Sequence, residues 1–190
     1  MKNTTNNQKL VFVVQKHKAT TLHYDFRLEI GGVMPSWSIP KGPTLDSSVK
    51  RLALFTSDHP LSYRHFEGVI SEGEYGAGPV MVWDEGTYCP EVERGKGKWE
   101  EITERNAAEE VMREGLQEGR LLFRLYGTKL QGSFALIRAH GFKGKESWLL
   151  IKHQDEFTMM GYDANMYDFS ALSNRSLAEI AADQENANPY

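Results

Sequence analysis

Apolar and polar residues alternate along much of this chain with the period of a β-strand. From Leu22 to Glu29 the alternation is uninterrupted, with apolar Leu22, Tyr24 and Phe26 set between polar neighbours. Such a pattern indicates a strand with one buried face. The hydrophobic pattern predicts further strands at residues 10–14, 33–39, 51–57, 79–83, 120–126, 132–139 and 148–152.

Two segments have helical patterns. Residues 106–118 predict a helix that ends at Gly119, and Ser176-Leu-Ala-Glu179 is a capping box that predicts a short helix through residue 182. Turns and loops are expected between the strands, with a short connection at 16–21, a glycine turn at 31–32 and a further turn at 84–86. Pro-Lys-Gly-Pro at 40–43 predicts a rigid loop that presents Lys41.

The glycines between residues 68 and 78 raise the question of a phosphate-binding loop. No helical pattern follows them, because the next residues are Pro-Val-Met-Val-Trp. We therefore interpret them as bends or bulges at a barrel corner. The chain has 190 residues, 40% of them hydrophobic and 11% aromatic, which is enough for one core and favours a mainly β barrel or sandwich.

The composition limits the possible cellular compartment and the possible binding partners. The single cysteine, Cys89, excludes an internal disulfide and predicts a reducing, cytoplasmic location. No apolar run approaches the roughly 20 residues that span a bilayer, so no membrane association is expected. The net charge of −4 is unevenly distributed: residues 1–65 have nine Lys/Arg against four Asp/Glu, and residues 66–190 have thirteen against twenty-two. Local positive charge in the first part is compatible with a polyanionic partner.

The polar face of the strand at 22–29 carries the candidate chemistry. Residues on one face of a strand lie roughly 6.5 to 7 Å apart, so His23 and Asp25 can bind one cation while Arg27 binds a neighbouring anion. His17 is a third candidate ligand if the chain bends before the strand. The alternative is a polar face in water, with Asp25 and Arg27 loosely paired.

Ordered motifs along the chain extend this hypothesis. They read Gln-Lys-His-x-Ala-x-x-Leu-His-Tyr-Asp-Phe-Arg-Leu-Glu at 15–29, Ser-Trp-x-Ile-Pro-Lys-Gly-Pro at 36–43, Val-Lys-Arg-Leu-Ala at 49–53, Asp-His-Pro-Leu-x-Tyr at 58–63, Gly-Glu-Tyr-Gly-Ala-Gly-x-Val-x-Val-Trp-Asp at 73–84, and Leu-x-Gly-x-Lys-Leu-x-Gly-x-Phe-x-Leu-x-Arg at 125–138. The chain thereby resembles the 3′-phosphoesterase domain of bacterial DNA ligase D and its free-standing archaeal and bacterial relatives.

The resemblance implies a compact single-domain β-barrel with one or two short peripheral helices. From the sequence pattern we expect residues 1–9 to be a flexible arm, residues 10–160 the barrel domain, and residues 161–190 a C-terminal extension with a short helix. The resemblance implies a hydrolase of non-homologous end joining that uses a divalent metal, usually manganese. Such an enzyme removes a 3′-terminal ribonucleoside and then the remaining 3′-phosphate from DNA at primer–template junctions, which leaves a 3′-hydroxyl.

The resemblance also implies roles for individual residues. His17, His23 and Asp25 correspond to the metal ligands; Arg27 and His59, with Tyr63 close by, to the groups that hold the scissile phosphate; and Lys41 and Arg51 to further basic contacts with phosphate or DNA. One departure is Ser57, where many relatives carry an acidic residue. A separate ATP-dependent ligase, a polymerase/primase or Ku is the implied partner in trans.

Two other classes of function remain open from the sequence. A His-x-Asp pair with a distant histidine also matches the two-His-one-carboxylate site of non-haem iron oxygenases. A non-catalytic module that recognises DNA ends or a ligase is the second alternative. The basic first part of the chain and Arg27 favour phosphate chemistry over the oxygenase.

Overall fold

The computed structural model describes residues 8–140 and 146–187. The strands are β1 (Leu10–Lys18), β2 (Leu22–Leu28), β3 (Val33–Met34), β4 (Ser36–Ile39), β5 (Lys50–Phe55), β6 (His59–Pro60), β7 (Gly68–Ile70), β8 (Gly78–Glu93), β9 (Trp99–Glu101), β10 (Arg120–Gly127), β11 (Gln131–Arg138) and β12 (Ser147–Lys152). The α-helices are α1 (Arg105–Glu118) and α2 (Leu177–Ala187), and short 3-10 helices span Leu61–His65 and Ala164–Met166.

Eight antiparallel strands close into a barrel. Their order is β1-β2-β4-β5-β12-β11-β10-β8, and β8 pairs with β1 to complete the ring. Strands β7 and β9 add to β8, while β3 and β6 form a separate two-stranded sheet. The predicted fold class, a mainly β single-domain barrel with two peripheral helices, is confirmed.

Side chains that point inward fill the barrel. On β2 these are Tyr24, Phe26 and Leu28, which are the apolar members of the alternating pattern. Trp37 and Trp83 are among the largest side chains of the core, and neither has exposed surface. The C-terminal segment also reaches this core, through residues that include Tyr162, Ala164 and Ile180.

Two strand predictions were wrong in extent. Strand β1 continues to Lys18, so the first half of the predicted connection at 16–21 belongs to the strand, paired with β2 and β8. The predicted turn at 84–86 lies inside the continuous strand β8. The buried Asp84 carboxylate accepts hydrogen bonds from three backbone N–H groups, those of Thr128, Lys129 and Leu130, and these tertiary partners override the turn-like composition.

The helices follow their local signals. Helix α1 ends where Gly119 adopts a φ of +82°, as predicted. The capping box of α2 is present, since the Ser176 N–H donates to Glu179 Oε2 and the Glu179 N–H donates to Ser176 Oγ. Helix α2 is longer than predicted and continues to Ala187. Within residues 8–140 and 146–187, no helix combines the length and apolarity needed to cross a membrane.

Candidate functional site

The candidate site lies on the outward face of the β1–β2 hairpin. Antiparallel register sets His17 opposite His23, and Gln15 opposite Asp25. Because side chains alternate along a strand, these residues share the face opposite to the core-forming ones. No bend of the chain is needed to bring His17 to the site, because β1 delivers it directly.

Protein covers this face in place of bulk water. The Arg27 residue is only 3% exposed and Gln15 is fully buried. The 3-10 helix Leu61–His65 and Phe66 lie over them, held by hydrogen bonds from the Gln15 side-chain amide to the carbonyls of Tyr63 and Phe66 at 3.0 and 3.1 Å. The alternative expectation of a solvated polar face is therefore wrong.

His17, His23 and Asp25 form a cluster that can hold a metal ion. One ligand atom from each residue lies within 4.8 Å of the others. The nearest pairs are His17 Nδ1 to Asp25 Oδ2 at 3.8 Å and His23 Nε2 to Asp25 Oδ1 at 3.5 Å. Two imidazoles and one carboxylate make a donor set that suits a first-row divalent cation and leaves coordination positions for other ligands.

Backbone carbonyls orient both imidazoles for such a role. His17 Nε2 lies 2.7 Å from the Gly76 oxygen, and His23 Nδ1 lies 3.0 Å from the Thr21 oxygen. A carbonyl only accepts, so each of these nitrogens carries its proton. The lone pairs of His17 Nδ1 and His23 Nε2 then face Asp25. Carbonyls that accept from the other ring nitrogen are typical of metal-binding histidines, so the residues present fit a cation.

The charges of the cluster are coupled. Burial alone would raise the pKa of the Asp25 carboxyl, but the imidazoles of His17 and His23, which donate to it when the nitrogens that face it are protonated, and the charge of Arg27 together hold this pKa far below its usual range. The hydrogen bond with Asp25 raises the pKa of His23. Asp25 is therefore a permanent anion, and a proton and a cation exclude one another at His23 Nε2.

Arg27 is fixed from three sides. Its Nε donates to Gln15 Oε1 at 2.7 Å, its Nη2 donates to Asp25 Oδ2 at 3.3 Å, and its Nη1 lies 3.0 Å from His59 Nδ1. The guanidinium also lies 5.3 Å from the centre of the Tyr63 ring. Burial lowers the pKa of Arg27, yet an arginine keeps its charge at any physiological pH. The result is a rigid cation beside the cluster.

His59 and Tyr63 flank the guanidinium. Their ring centroids are 5.1 Å apart, and Tyr63 stacks in turn on Phe66. Burial, followed by the charge of Arg27, lowers the pKa of His59, so its imidazole is neutral at pH 7. Its Nδ1 is 3.0 Å from both Arg27 Nη1 and the Ser57 carbonyl. The structure thus brings together six of the eight residues that the sequence pointed to: His17, His23, Asp25, Arg27, His59 and Tyr63.

Lys41 and Arg51 lie apart from these six. Lys41 is exposed just after β4, and Ile39 pairs with Tyr24, which places Lys41 at the same end of the barrel as His23. Arg51 lies on β5, two strands away from β2, and shares the inward-facing register of the buried Ala53. The structure does not bring Arg51 to the cluster.

Sequence reasoning missed Gln15. Its amide oxygen accepts from Arg27, and its amide nitrogen donates to the covering segment, so one buried side chain joins the guanidinium to its cover. The signal was the alternation of Val13, Gln15 and His17 on one face of β1. It was missed because the predicted strand ended at residue 14. The Gly76 carbonyl also escaped notice, because backbone acceptors leave no mark in side-chain patterns.

Fold and site together define a small closed β-barrel domain with a candidate cation cluster beside a buried arginine. Residues 15–138 match the family model of the DNA Ligase D 3'-phosphoesterase domain. The chain belongs to this family, as the resemblance predicted.

Relatives from several bacteria extend the match. The chain is 48% identical over 147 residues to the "Multifunctional non-homologous end joining protein LigD" of Pseudomonas aeruginosa. It is 38% identical over 154 residues to the "Multifunctional non-homologous end joining DNA repair protein LigD" of Mycobacterium tuberculosis, and 38% identical over 153 residues to the protein of Mycolicibacterium smegmatis.

The matched regions cover most of this chain and little of its relatives. They include 77%, 80% and 80% of this chain, but they make up only 15%, 17% and 18% of the length of the respective relatives. The similarity therefore concerns one domain of those multifunctional end-joining proteins. Family membership supports a hydrolase-type activity.

Proposed function

We propose that this protein is a metal-dependent DNA 3′-end-processing phosphoesterase. It removes a 3′-phosphate, and a 3′-terminal ribonucleoside, to leave a 3′-hydroxyl for end joining. The observation that carries the proposal is the position of the Arg27 guanidinium, which is buried and fixed next to the His17, His23 and Asp25 cluster. A cation and an arginine side by side suit an anionic phosphoester.

His17, His23 and Asp25 are the proposed ligands, and manganese is the proposed ion. A divalent cation bound there would neutralise phosphate charge and lower the pKa of a bound water. The protein's own contribution is to hold two imidazole lone pairs and one carboxylate in place. The hydrogen bonds to the carbonyls of Gly76 and Thr21 supply that orientation before any ion arrives.

Arg27 is the proposed phosphate-binding residue. A guanidinium has five N–H donors: Gln15 and Asp25 accept from two of them, and His59 Nδ1 accepts from a third when the proton of its ring is on Nε2. One N–H on each terminal nitrogen remains for non-bridging phosphate oxygens, which is the arrangement of a bidentate contact. Because the three protein partners fix the guanidinium beforehand, little conformational entropy is lost when the phosphate binds.

His59 is proposed to act on the leaving side of the reaction. In the release of a 3′-phosphate, water adds to phosphorus and gives up a proton while the bond from phosphorus to O3′ breaks, and O3′ takes up a proton. Because its pKa is lowered, the His59 imidazole is neutral. It therefore acts as a hydrogen-bond donor through its ring N–H and not as a positive charge. Tyr63 is proposed to keep the His59 ring and the Arg27 guanidinium in place, because its own ring contacts both.

Basic residues outside the cluster are assigned to the DNA strand. Lys41, exposed at the same end of the barrel as His23, is proposed as a contact to the DNA backbone. Arg51 is left out of the proposed phosphate contacts, and its role in DNA binding stays a prediction from the sequence. Partners in trans, namely a separate ligase, a polymerase/primase or Ku, belong to the same proposal.

The deciding experiment uses two primer–templates, one ending in a 3′-phosphate and one in a single ribonucleotide. With manganese we expect conversion of both to a 3′-hydroxyl end, and loss of product with a chelator. His23→Ala and Asp25→Ala should abolish turnover, whereas His65→Ala, a substitution of an exposed histidine beside Glu85, should leave it unchanged. DNA binding without product would favour the non-catalytic module. Oxygen consumption with ferrous iron would favour the oxygenase.

A further inference from the structure

Tyr75 is an aromatic side chain that the protein itself does not use for packing. Its relative exposure is 101%, whereas the next most exposed large aromatic among the described residues, Tyr126, is 41% exposed. Tyr75 lies in a tight turn, in which the Glu74 N–H donates to the Ser71 carbonyl and the Ala77 N–H donates to the Glu74 carbonyl. Burial in the core therefore gives no reason for an aromatic ring at this position.

The turn is fixed to the candidate metal cluster. Gly76, the next residue, accepts the hydrogen bond from His17 Nε2 at 2.7 Å. Gly76 has a φ of +77°, and a Cβ there would lie 3.3 Å from His17 Cε1. Gly78 packs against the end of β1, because a Cβ at position 78 would lie 2.1 Å from the Lys18 oxygen. Successive Cα atoms are about 3.8 Å apart. Tyr75 is therefore the direct neighbour of Gly76, whose carbonyl oxygen orients the candidate metal ligand His17.

The chemistry around Tyr75 selects between two kinds of contact. Glu72 and Glu74 are both exposed on the same turn, and their charge would repel a phosphate backbone. A nucleobase is neutral and has a π-face, on which an aromatic side chain stacks regardless of sequence. The turn is therefore suited to a base and unsuited to a phosphate.

We propose that Tyr75 stacks on the nucleobase of the 3′-terminal nucleotide of the DNA strand that is processed. This inference rests on the proposed function, which puts the terminal 3′-phosphate at Arg27. Base and phosphate are attached to the same sugar, so a phosphate held there brings the base beside the cluster and its adjoining turn. Tyr75 is thus a positioning residue that recognises the end of the strand, whichever base it carries.

Equilibrium binding tests this independently of turnover. A fluorescent primer–template with a 3′-phosphate is titrated with protein in the presence of a chelator, and the dissociation constant is read from anisotropy. Tyr75→Ala should weaken binding about tenfold, within the range known for the loss of one stacked base. Tyr75→Phe and Tyr75→Trp should stay within about twofold of the wild type. Tyr126→Ala, at the other end of β1 near Lys9, is the matched control and should bind normally.

A second substrate identifies the group that Tyr75 contacts. When the terminal nucleotide is abasic but keeps its 3′-phosphate, we expect the wild type to bind about tenfold more weakly and Tyr75→Ala to lose nothing further. With the normal substrate and manganese, Tyr75→Ala should raise KM about tenfold and leave kcat within about threefold. Thermal unfolding of the variant should match the wild type, because the ring is exposed.

The outcomes separate this inference from the proposed function. If Tyr75→Ala binds as tightly as the wild type, or if its loss adds fully to that of the abasic end, stacking is wrong even when the wild type processes DNA ends. If binding depends on Tyr75 and on the base but no product forms, stacking stands and the proposed catalysis is wrong. A wild-type protein that binds no DNA end overturns both.

Discussion

His17 and His23 face each other directly across the β1–β2 hairpin, with ring centroids 4.8 Å apart. Asp25 lies two residues further along β2 on the same face, within reach of both rings. The hydrogen-bond ladder of the two strands therefore fixes the spacing of the three donors. A cluster built on paired strands is held more rigidly than one built on loops.

We expect each of the three donors to be needed for cation binding. Loss of a group that only orients a metal ligand typically lowers metal affinity about 10- to 100-fold, so loss of a ligand itself should lower it by more than about 100-fold. Manganese affinity measured by titration calorimetry for His17→Ala, His23→Ala and Asp25→Ala checks this. His65→Ala is the control and should bind as the wild type does. Unchanged affinity in two of the three variants would show that the cluster is not a metal site.

Gln15→Leu should separate positioning from metal binding. The substitution removes the acceptor of Arg27 Nε and the donor to two covering carbonyls, those of Tyr63 and Phe66. Leaving such groups unpaired costs about 1–3 kcal/mol of the free energy of unfolding, measured by urea denaturation. We also expect kcat for phosphate release to fall about tenfold, while manganese affinity stays within twofold of the wild type.

The control for Gln15→Leu is Gln131→Leu. Gln131 also donates from its side chain to a backbone carbonyl, that of Gly127, but it lies on β11 at a different part of the barrel. We expect this variant to lose some stability and to keep its kcat. Equal losses of kcat in both variants would mean that Gln15 acts only through stability.

Local patterning explains what could be predicted of the fold. The alternation along β2 identified its core face and its chemical face, because each residue there follows the period of a half-buried strand. Helix α1 was recognised to within one residue at its start, and its end was found through Gly119. Signals of this kind depend on neighbours in sequence, which are all that a single chain displays.

Features that depend on distant partners were missed. The end of β1 was not recognised because Gln15 and Lys16 interrupt its apolar pattern, although Lys16 is buried and pairs with Asp168 at 2.9 Å. The turn-like residues at 84–86 continue β8 because β1 pairs with all three of them and β10 pairs with Gly86. Gln15 belongs to the same group, since its partners Tyr63 and Phe66 lie some fifty residues further along.

His59 should titrate below the usual range of a histidine. Burial and then the charge of Arg27 lower its pKa from 6.5, so between the folded-state pKa and 6.5 the unfolded chain binds more protons than the folded one. Stability should therefore fall as pH drops through 6.5, and His59 should add no pH dependence well above 6.5. An NMR titration of the His59 ring protons measures the pKa directly.

Other groups titrate in the same range, so stability is compared between two proteins. His59→Asn removes the imidazole and should reduce the decline in the free energy of unfolding between pH 7.5 and 5.5. Identical declines in the two proteins, together with an NMR midpoint at or above 6.5, would contradict the lowered pKa. The same midpoint decides whether His59 is neutral at the pH of the activity assay.

Asp84 should matter for stability and not for the site. It is fully buried, and its carboxylate accepts from the backbone N–H groups of Thr128, Lys129 and Leu130 at 2.7–3.0 Å. Asp84→Ala leaves three donors without an acceptor and should lower the free energy of unfolding by more than about 3 kcal/mol in urea denaturation. Asp163→Ala removes a similar acceptor from an exposed position and should cost under about 1 kcal/mol. Equal losses would mean that water replaces the Asp84 carboxylate, and that strand pairing with β1 rather than Asp84 keeps the turn-like residues 84–86 in β8.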